Sequence, residues 1–369
     1  MSGASLAGSL GKLKQGGRKS PVSFFEFWPD WLFYAPVVAF WALNAIRYRS
    51  ITLPSLANPL INAGGICGES KNQILSLAGP KARAWVADYA PFTVSGHEDA
   101  DDLPRARLAM AEAGLSYPVV AKPDMSCNGV GVRVVRDDAQ LADYLRPFPR
   151  GAALQLQSLV NYEGEAGIFY IRRPGETNGR ITSVTLKYPP VVIGDGRRSV
   201  KELIAADERL NAISALLLRK LGARAASVPA PNERVGLVFV GNHCRGSTFK
   251  DGLSIVTPAL SARIDEIMRD MPEVYFSRID LRFDSLEALC EGREFRIIEF
   301  NGAGSEATHI WDPQTTIREA YRAQFFHYGA AFRIGAAMRA KGVPRYGTLR
   351  LLRAWRRQKA LMALYPTND

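Results

Sequence analysis

Two segments late in the chain, SRIDLRF (277–283) and IIEFN (297–301), set charged or amide side chains at every second position among Ile, Leu and Phe. Alternation of period two is the mark of a β-strand. Arg278 and Asp280 therefore share one face of the first strand, and Glu299 and Asn301 share one face of the second. Carboxylates flanked by large apolar residues are costly to bury without a partner, so the pattern demands a sheet with one polar, used face. The plainer alternative is an exposed, salt-bridged sheet.

Other runs repeat the strand signature. VVAKP (119–123) is apolar and closed by Pro, ALQLQSLV (153–160), EAGIFYIRR (165–173) and RITSVTLKY (180–188) follow, and RVGLVFVG (234–241) comes later. Helices are expected within 72–90, at 104–113, from Asp137 to about Arg146, from the Ser199-x-x-Glu202 capping box toward Leu221, near 259–271 and over 314–340. With 369 residues, 47% of them hydrophobic and 22% charged, the chain can bury a sizeable core. The fold class is mixed α+β, rich in antiparallel hairpins. Four widely spaced cysteines without a C-x-x-C pair exclude a zinc knuckle or disulfide framework and point to a reducing, cytoplasmic setting.

Lys122 leaves a buried strand directly before Ser126-Cys127-Asn128-Gly129-Val130-Gly131. An ammonium beside a flexible glycine loop can surround the phosphates of a nucleotide; a plain hairpin with a solvated lysine is the alternative. Asp280, Glu299 and Asn301 offer three hard oxygen donors, the set that suits Mg²⁺, or Mn²⁺ in its place, bridging a triphosphate. Arg278 beside them suits an oxyanion or a substrate carboxylate. GGICGESK (64–71) is not a Walker loop, because Gly68 is followed by Glu69 rather than by Lys and Ser or Thr.

The order of VVAKP, the glycine loop, QLQSLV, Glu165, Lys187-Tyr188, Arg278-x-Asp280 and Glu299-x-Asn301 resembles the ATP-grasp superfamily, most closely its carboxylate-amine ligase branch typified by D-alanine–D-alanine ligase. The resemblance covers about residues 71–335 and implies two α+β lobes clamping ATP between antiparallel sheets, an N-lobe over 71–160 and a C-lobe over 161–335. It implies ATP contacts by Lys81, Lys122, Ser126, Asn128, Gly129, Gly131, Gln157, Ser158, Leu159, Val160, Glu165 and Lys187. Asp280, Glu299 and Asn301 match the metal ligands, and Arg278 matches the arginine at the tetrahedral intermediate. Candidate substrate residues are Arg245, Arg282, Gly302, Ser305 and His309, although a lone histidine such as His309 also reads as structural. The implied reaction joins a small-molecule carboxylate to an amine through an acyl phosphate. A kinase on the same fold, and a membrane-bound scaffold with an idle nucleotide site, are the alternatives. Before residue 71 no clear alternation of strands and helices is seen, so the family's usual N-terminal domain is expected to be reduced or replaced by the aromatic region. No ligase-type proline follows Asn301 either, and substrate identity does not carry over.

Charge is distributed unevenly. The net charge is +11, yet residues 20–338 are balanced. Residues 1–19 hold four bases and no acid, and residues 339–369 hold eight bases against Asp369. Terminal basicity disfavours a nucleic-acid groove and favours an anionic membrane surface. The stretch WLFYAPVVAFWALNAI (31–46) is too short and too interrupted for a span; it reads either as an interfacial anchor at the inner membrane face or as a buried helix. The expected layout is a disordered basic tail (1–20), an aromatic region (21–70), the ATP-binding unit (71–335) and a basic C-terminal helix (336–369), itself either lipid-facing or solvated. Oligomeric state is not legible.

Overall fold

The computed structural model describes residues 25, 26, 28–95, 101–238 and 246–366. The basic stretch 1–19, Arg245 and the end of the run 234–241 lie outside them. The first sheet contains β1 (Tyr89–Thr93), β2 (Val119–Pro123), β3 (Arg133–Val135) and β4 (Ala153–Ser158), in the order β1-β4-β2-β3. The second contains β5 (Gly164–Ile171), β6 (Arg180–Tyr188), β9 (Thr248–Asp251), β10 (Phe276–Phe283) and β11 (Phe295–Asn301), in the order β11-β10-β5-β6-β9. A hairpin of β7 (Val191–Ile193) and β8 (Arg234–Gly236) stands apart from both sheets. All pairings within the named sheets are antiparallel, so the α+β class expected from the strand runs is what forms.

Helices Asp102–Glu112 and Asp138–Leu145 cover the first sheet, burying Ala106, Met110, Leu141 and Tyr144 against Val119, Ala121 and Leu156. Both begin where the side-chain caps place them: Asp101 accepts from Leu103 N–H and Asp137 from Gln140 N–H. The second sheet is covered on both faces. Helix Pro258–Arg269 packs Leu260, Ile264 and Met268 on the face of Ile168, Ile279 and Leu281. Helix Ile317–Ala340 packs Ala330, Ala331 and Phe332 on the face of Phe169 and Phe276. Arg278, Asp280 and Arg282 share that second face with Phe276 by alternation, and line the open part of it.

Two local readings are corrected. The stretch 72–90 is helical only over Lys71–Ser76 and Pro80–Arg83; Val86 bridges to Ile297 and Tyr89 opens β1. Pro91 is tolerated there because β1 is an edge strand. The helix opened by Ser199 does carry its capping box, but it breaks at Asp207, which has extended backbone and caps a new turn at Leu210 N–H. Aspartate favours such a restart because its carboxylate competes for backbone donors.

Helix Asp30–Arg47 lies on Ile317–Ala340 through Phe40 on Phe325 and Trp41 on Tyr328 and Phe332. Among the described residues no helix is long and apolar enough to cross a membrane. The basic C-terminal helix is Thr348–Met362.

Candidate active site

A cavity of about 700 Å³ lies between the two sheets. The first sheet contributes Lys122 from the end of β2, Gln157 and Ser158 from β4, and Leu159 and Val160 just beyond β4. The second contributes Glu165 from β5, Lys187 from β6, Arg278, Asp280 and Arg282 from β10, and Glu299 and Asn301 from β11. Ser126, Asn128 and Gly129 of the glycine loop line it as well, as does Ser305. Asn128 and Gly129 both have positive φ, 53° and 67°; only glycine takes this backbone freely, and asparagine is among the residues that tolerate it.

Antiparallel register brings the polar groups together. Asp280 faces Glu299, and Arg278 faces Asn301, across β10 and β11. Glu165 faces Arg282 on one side and Lys187 on the other. Lys187 Nζ lies 3.1 Å from both Glu165 Oε1 and Asp280 Oδ1. Arg278 donates from Nε and Nη2 to the two oxygens of Asp280, at 3.1 and 3.0 Å, and from Nη1 to the carbonyl of Glu306 at 3.2 Å. Burial alone would raise the Asp280 pKa, but the two cations beside it hold it below the usual carboxylate range. Burial likewise opposes the charge on Lys187 and Arg278, but the surrounding acids together outweigh it, Asp280 foremost, lifting both above their ordinary values.

Lys122 is in a different state. Its Nζ donates to Gln157 Oε1 and, across the cleft at 3.3 Å, to the carbonyl of Ile298 on β11. Burial dominates, only partly offset by Glu299, and lowers its pKa to about 8. Arg282 donates to the carbonyls of Val160 and Tyr162 at 3.3 and 3.2 Å, tying β10 to the segment that joins the two sheets.

Four sequence candidates lie elsewhere. Lys81, in the one-turn helix Pro80–Arg83, is 71% exposed and 3.9 Å from Glu266; Ala82 takes the inward position of that turn. His309 bonds Ser183 Oγ through Nδ1 at 2.7 Å, and burial lowers its pKa, favouring the neutral ring. Gly131 lies behind the loop, where an added Cβ would come 2.5 Å from Pro123. Gly302 is a packing residue: a Cβ there would meet Gly65 Cα at 2.6 Å. Arg245 is outside the described residues.

The close approach of Gly65 and Gly302 brings in residues that no sequence motif marks. The loop rejected as a Walker motif delivers Glu69 and Lys71 to the cavity. Lys71 Nζ lies 3.3 Å from Glu299 Oε1 and donates to the carbonyl of Ser126 at 2.7 Å. Burial pushes Glu69 up to about 7, with Lys71 pulling the other way. The aromatic region supplies Trp28, Phe33 and Tyr34, and Glu306 joins them with Trp311 and Tyr328. Glu306 accepts from Tyr34 Oη at 3.0 Å, Trp311 Nε1 at 2.8 Å and Gln324 Nε2. The sequence signal for Glu69 and Lys71 was a glycine-dense loop ending in charged residues; for Glu306 there was none beyond an acid close after Asn301.

The C-terminal helix closes one wall. Trp355 and Gln358 line the cavity, Gln358 Oε1 accepts from Gly68 N–H at 3.0 Å, and Tyr365 Oη donates to the carbonyl of Met125 at 3.2 Å.

Among the described residues, no three His, Cys, Asp or Glu side chains form a cation site by themselves; the third donor here is the Asn301 amide, whose nitrogen donates to Asp280 Oδ2 at 3.2 Å. Two carboxylates and an amide on adjacent strands fit a hard divalent cation such as Mg²⁺ in donor chemistry.

No protein-family model matches the sequence, and no curated protein matches it. Among solved structures the chain is similar to a bifunctional glutathione synthetase from Pasteurella multocida, with 18% identity and a TM-score of 0.36 over 69% of this chain and 35% of that one. It is similar to D-alanine–D-alanine ligase from Bacillus anthracis, with 12% identity and a TM-score of 0.41 over 77% and 71% of the two chains. A third is the D-Ala:D-Ser ligase VanG from Enterococcus faecalis, with 12% identity and a TM-score of 0.40 over 75% and 64%. The chain spans about a third of the length of the glutathione synthetase. At these scores the likeness assigns neither family nor activity to the chain.

Proposed function

We propose that the chain is an ATP-dependent carboxylate-amine ligase of the ATP-grasp type. The observation that carries this reading is the reach of Lys122 from the first sheet to the Ile298 carbonyl of the second, beside Glu299. One buried ammonium thus sits where both sheets and the glycine loop meet, as a polyphosphate clamp requires.

In this reading Lys122 and Lys71 meet the phosphates, Ser126, Asn128 and Gly129 close over them, and Gln157 to Val160 border the base. Glu165 accepts the ribose hydroxyls. Asp280, Glu299 and Asn301 would hold Mg²⁺, which supplies charge neutralisation for phosphoryl transfer. The γ-phosphoryl group passes to a substrate carboxylate, the bond to ADP breaking as the acyl phosphate forms. Lys187 balances the charge on the transferring group. An amine then attacks the acyl carbon, phosphate leaves, and the amine loses its proton; Arg278 stabilises the oxyanion of the tetrahedral intermediate. Glu306 stands on the far side of Arg278 from Asp280, where an ammonium would find a carboxylate.

Phosphorus NMR with Mg²⁺-ATP and a metabolite extract, run beside Glu299→Gln, tests the reading. ADP and inorganic phosphate that depend on the extract and disappear in the variant support it. A new phosphate ester would select a kinase, and near-normal turnover in Glu299→Gln would refute the metal assignment.

A further inference from the structure

Helix Asp30–Arg47 has two unlike faces. Phe33 and Val37 are buried, and Tyr34, Phe40 and Trp41 pack beside them on Ile317–Ala340 and the cavity. The opposite face carries Trp31, Leu32, Ala35, Pro36, Val38, Ala39, Ala42, Leu43 and Ile46, all exposed and without a charge among them. Trp31 is 73% exposed, Val38 64%, Leu43 65% and Ile46 75%. At about 100° per residue this stripe covers roughly half the helix circumference. A contiguous apolar face of this width marks an interaction surface.

What surrounds the stripe selects the occupant. Arg47 closes the helix and Arg49 follows it, both exposed. Arg339 reaches the same end, donating to the Tyr48 carbonyl. In the sequence, the nineteen residues at the start of the chain hold four bases and no acid. An apolar stripe with an aromatic residue at one end and bases at the other is suited to lie in the interface of an anionic bilayer, aliphatic side chains among the acyl chains and guanidinium groups at the phosphates. We infer that this helix docks the protein on an anionic membrane surface. Because Phe33 and Tyr34 of the same helix line the cavity, docking holds the cavity wall within about one helix diameter, ~10 Å, of the lipid.

The inference is tested with the full-length protein and vesicles of phosphatidylcholine with or without phosphatidylglycerol, measured by co-sedimentation. Binding is expected only with phosphatidylglycerol and is expected to weaken as salt is added. The double substitution Val38→Asp and Leu43→Asp, at exposed positions, should leave the thermal midpoint unchanged and reduce binding at least about tenfold. Arg47→Glu with Arg49→Glu should reduce it as well. Equal binding by the double variant, or no binding to anionic vesicles, would overturn the inference. If the protein instead self-associates in light scattering and the same double variant is monomeric, the face belongs to a second copy of the chain and the membrane assignment falls.

Discussion

Lys187 Nζ lies 3.1 Å from Asp280 Oδ1 although strand β5 runs between the strands that carry them. Two strand spacings separate the backbones by about 9.6 Å, so the contact needs an opening in the intervening side-chain layer. Gly167 supplies it: it pairs with Asp280, and a Cβ there would lie 3.0 Å from Asp280 Oδ1 and 3.5 Å from Lys187 Cε. The ion pair at the centre of the cleft thus depends on a missing side chain one strand away.

Gly167→Val should therefore separate the two charges. Overpacking of this kind costs about 1–3 kcal/mol, and ATP turnover should fall at least about tenfold. Urea denaturation and ADP release, measured on one preparation, give both numbers. Turnover within twofold of the unsubstituted protein would show that Lys187 and Asp280 work without touching.

In the ligase reading Lys122, with its pKa lowered to about 8 by burial, makes nucleotide binding proton-linked. A bound polyphosphate favours the charged lysine, so its pKa rises on binding. Above pH about 8 the free protein holds this group mostly neutral and the complex holds it charged. At pH 8.5 binding should take up more than about half a proton; at pH 7, where the lysine is already mostly charged, Lys122 should contribute little. Calorimetry in two buffers of different ionisation enthalpy measures the uptake, and Lys122→Met should lower the uptake at pH 8.5 by more than about half a proton. Uptake at pH 8.5 that is unchanged in the variant would contradict the assignment of Lys122 as the phosphate lysine.

The strands that build the cleft were legible because each is short, alternates with period two and ends in a turn. RITSVTLKY formed over its exact expected span, 180–188, and the pairs Arg278-x-Asp280 and Glu299-x-Asn301 came to lie side by side. Strand β1 was not legible. Trp85 and Val86 continue an apparent helical spacing, and only the ladder to β4 and the bridge from Val86 to Ile297 resolve it. Glu69 and Lys71 were hidden for another reason: their place depends on Gly65 meeting Gly302, a contact between segments far apart in sequence. Lys81 was named by resemblance alone, and motif order does not say which way a one-turn helix faces; its side chain is 71% exposed beside Glu266.

The C-terminal helix is a strap across the cavity as much as a basic tail. Its Gln358 holds the loop at Gly68, and Tyr365, three residues beyond the helix, holds Met125 at the start of the glycine loop and stacks its ring on Phe148 at 5.2 Å. Each hydrogen bond contributes about 1 kcal/mol. Gln358→Ala with Tyr365→Phe should thus weaken nucleotide binding by about tenfold while global stability, carried by the two sheet cores, changes little. Displacement of a fluorescent nucleotide reads the first and thermal unfolding the second. An unaltered affinity would make the strap a bystander.

Glu306 and Asp280 both line the cleft beside Arg278. Arg278 grips Asp280 on one side and the Glu306 carbonyl on the other. Among the described residues the Glu306 carboxylate accepts hydrogen bonds from the neutral donors Tyr34, Trp311 and Gln324, and burial raises its pKa. A carboxylate in such a place attracts a cation and can accept a proton from it. In the ligase reading that cation is the incoming ammonium, so Glu306→Gln should spare acyl-phosphate formation and impair the second step. Hydroxylamine, uncharged at neutral pH, needs neither the charge nor the base. With extract as the source of acid, the variant should still yield hydroxamate at a rate within about threefold of normal, while amine-dependent product falls about a hundredfold. If hydroxamate and amide fall together, Glu306 acts on the first step or on the fold; if neither falls, the amine enters elsewhere.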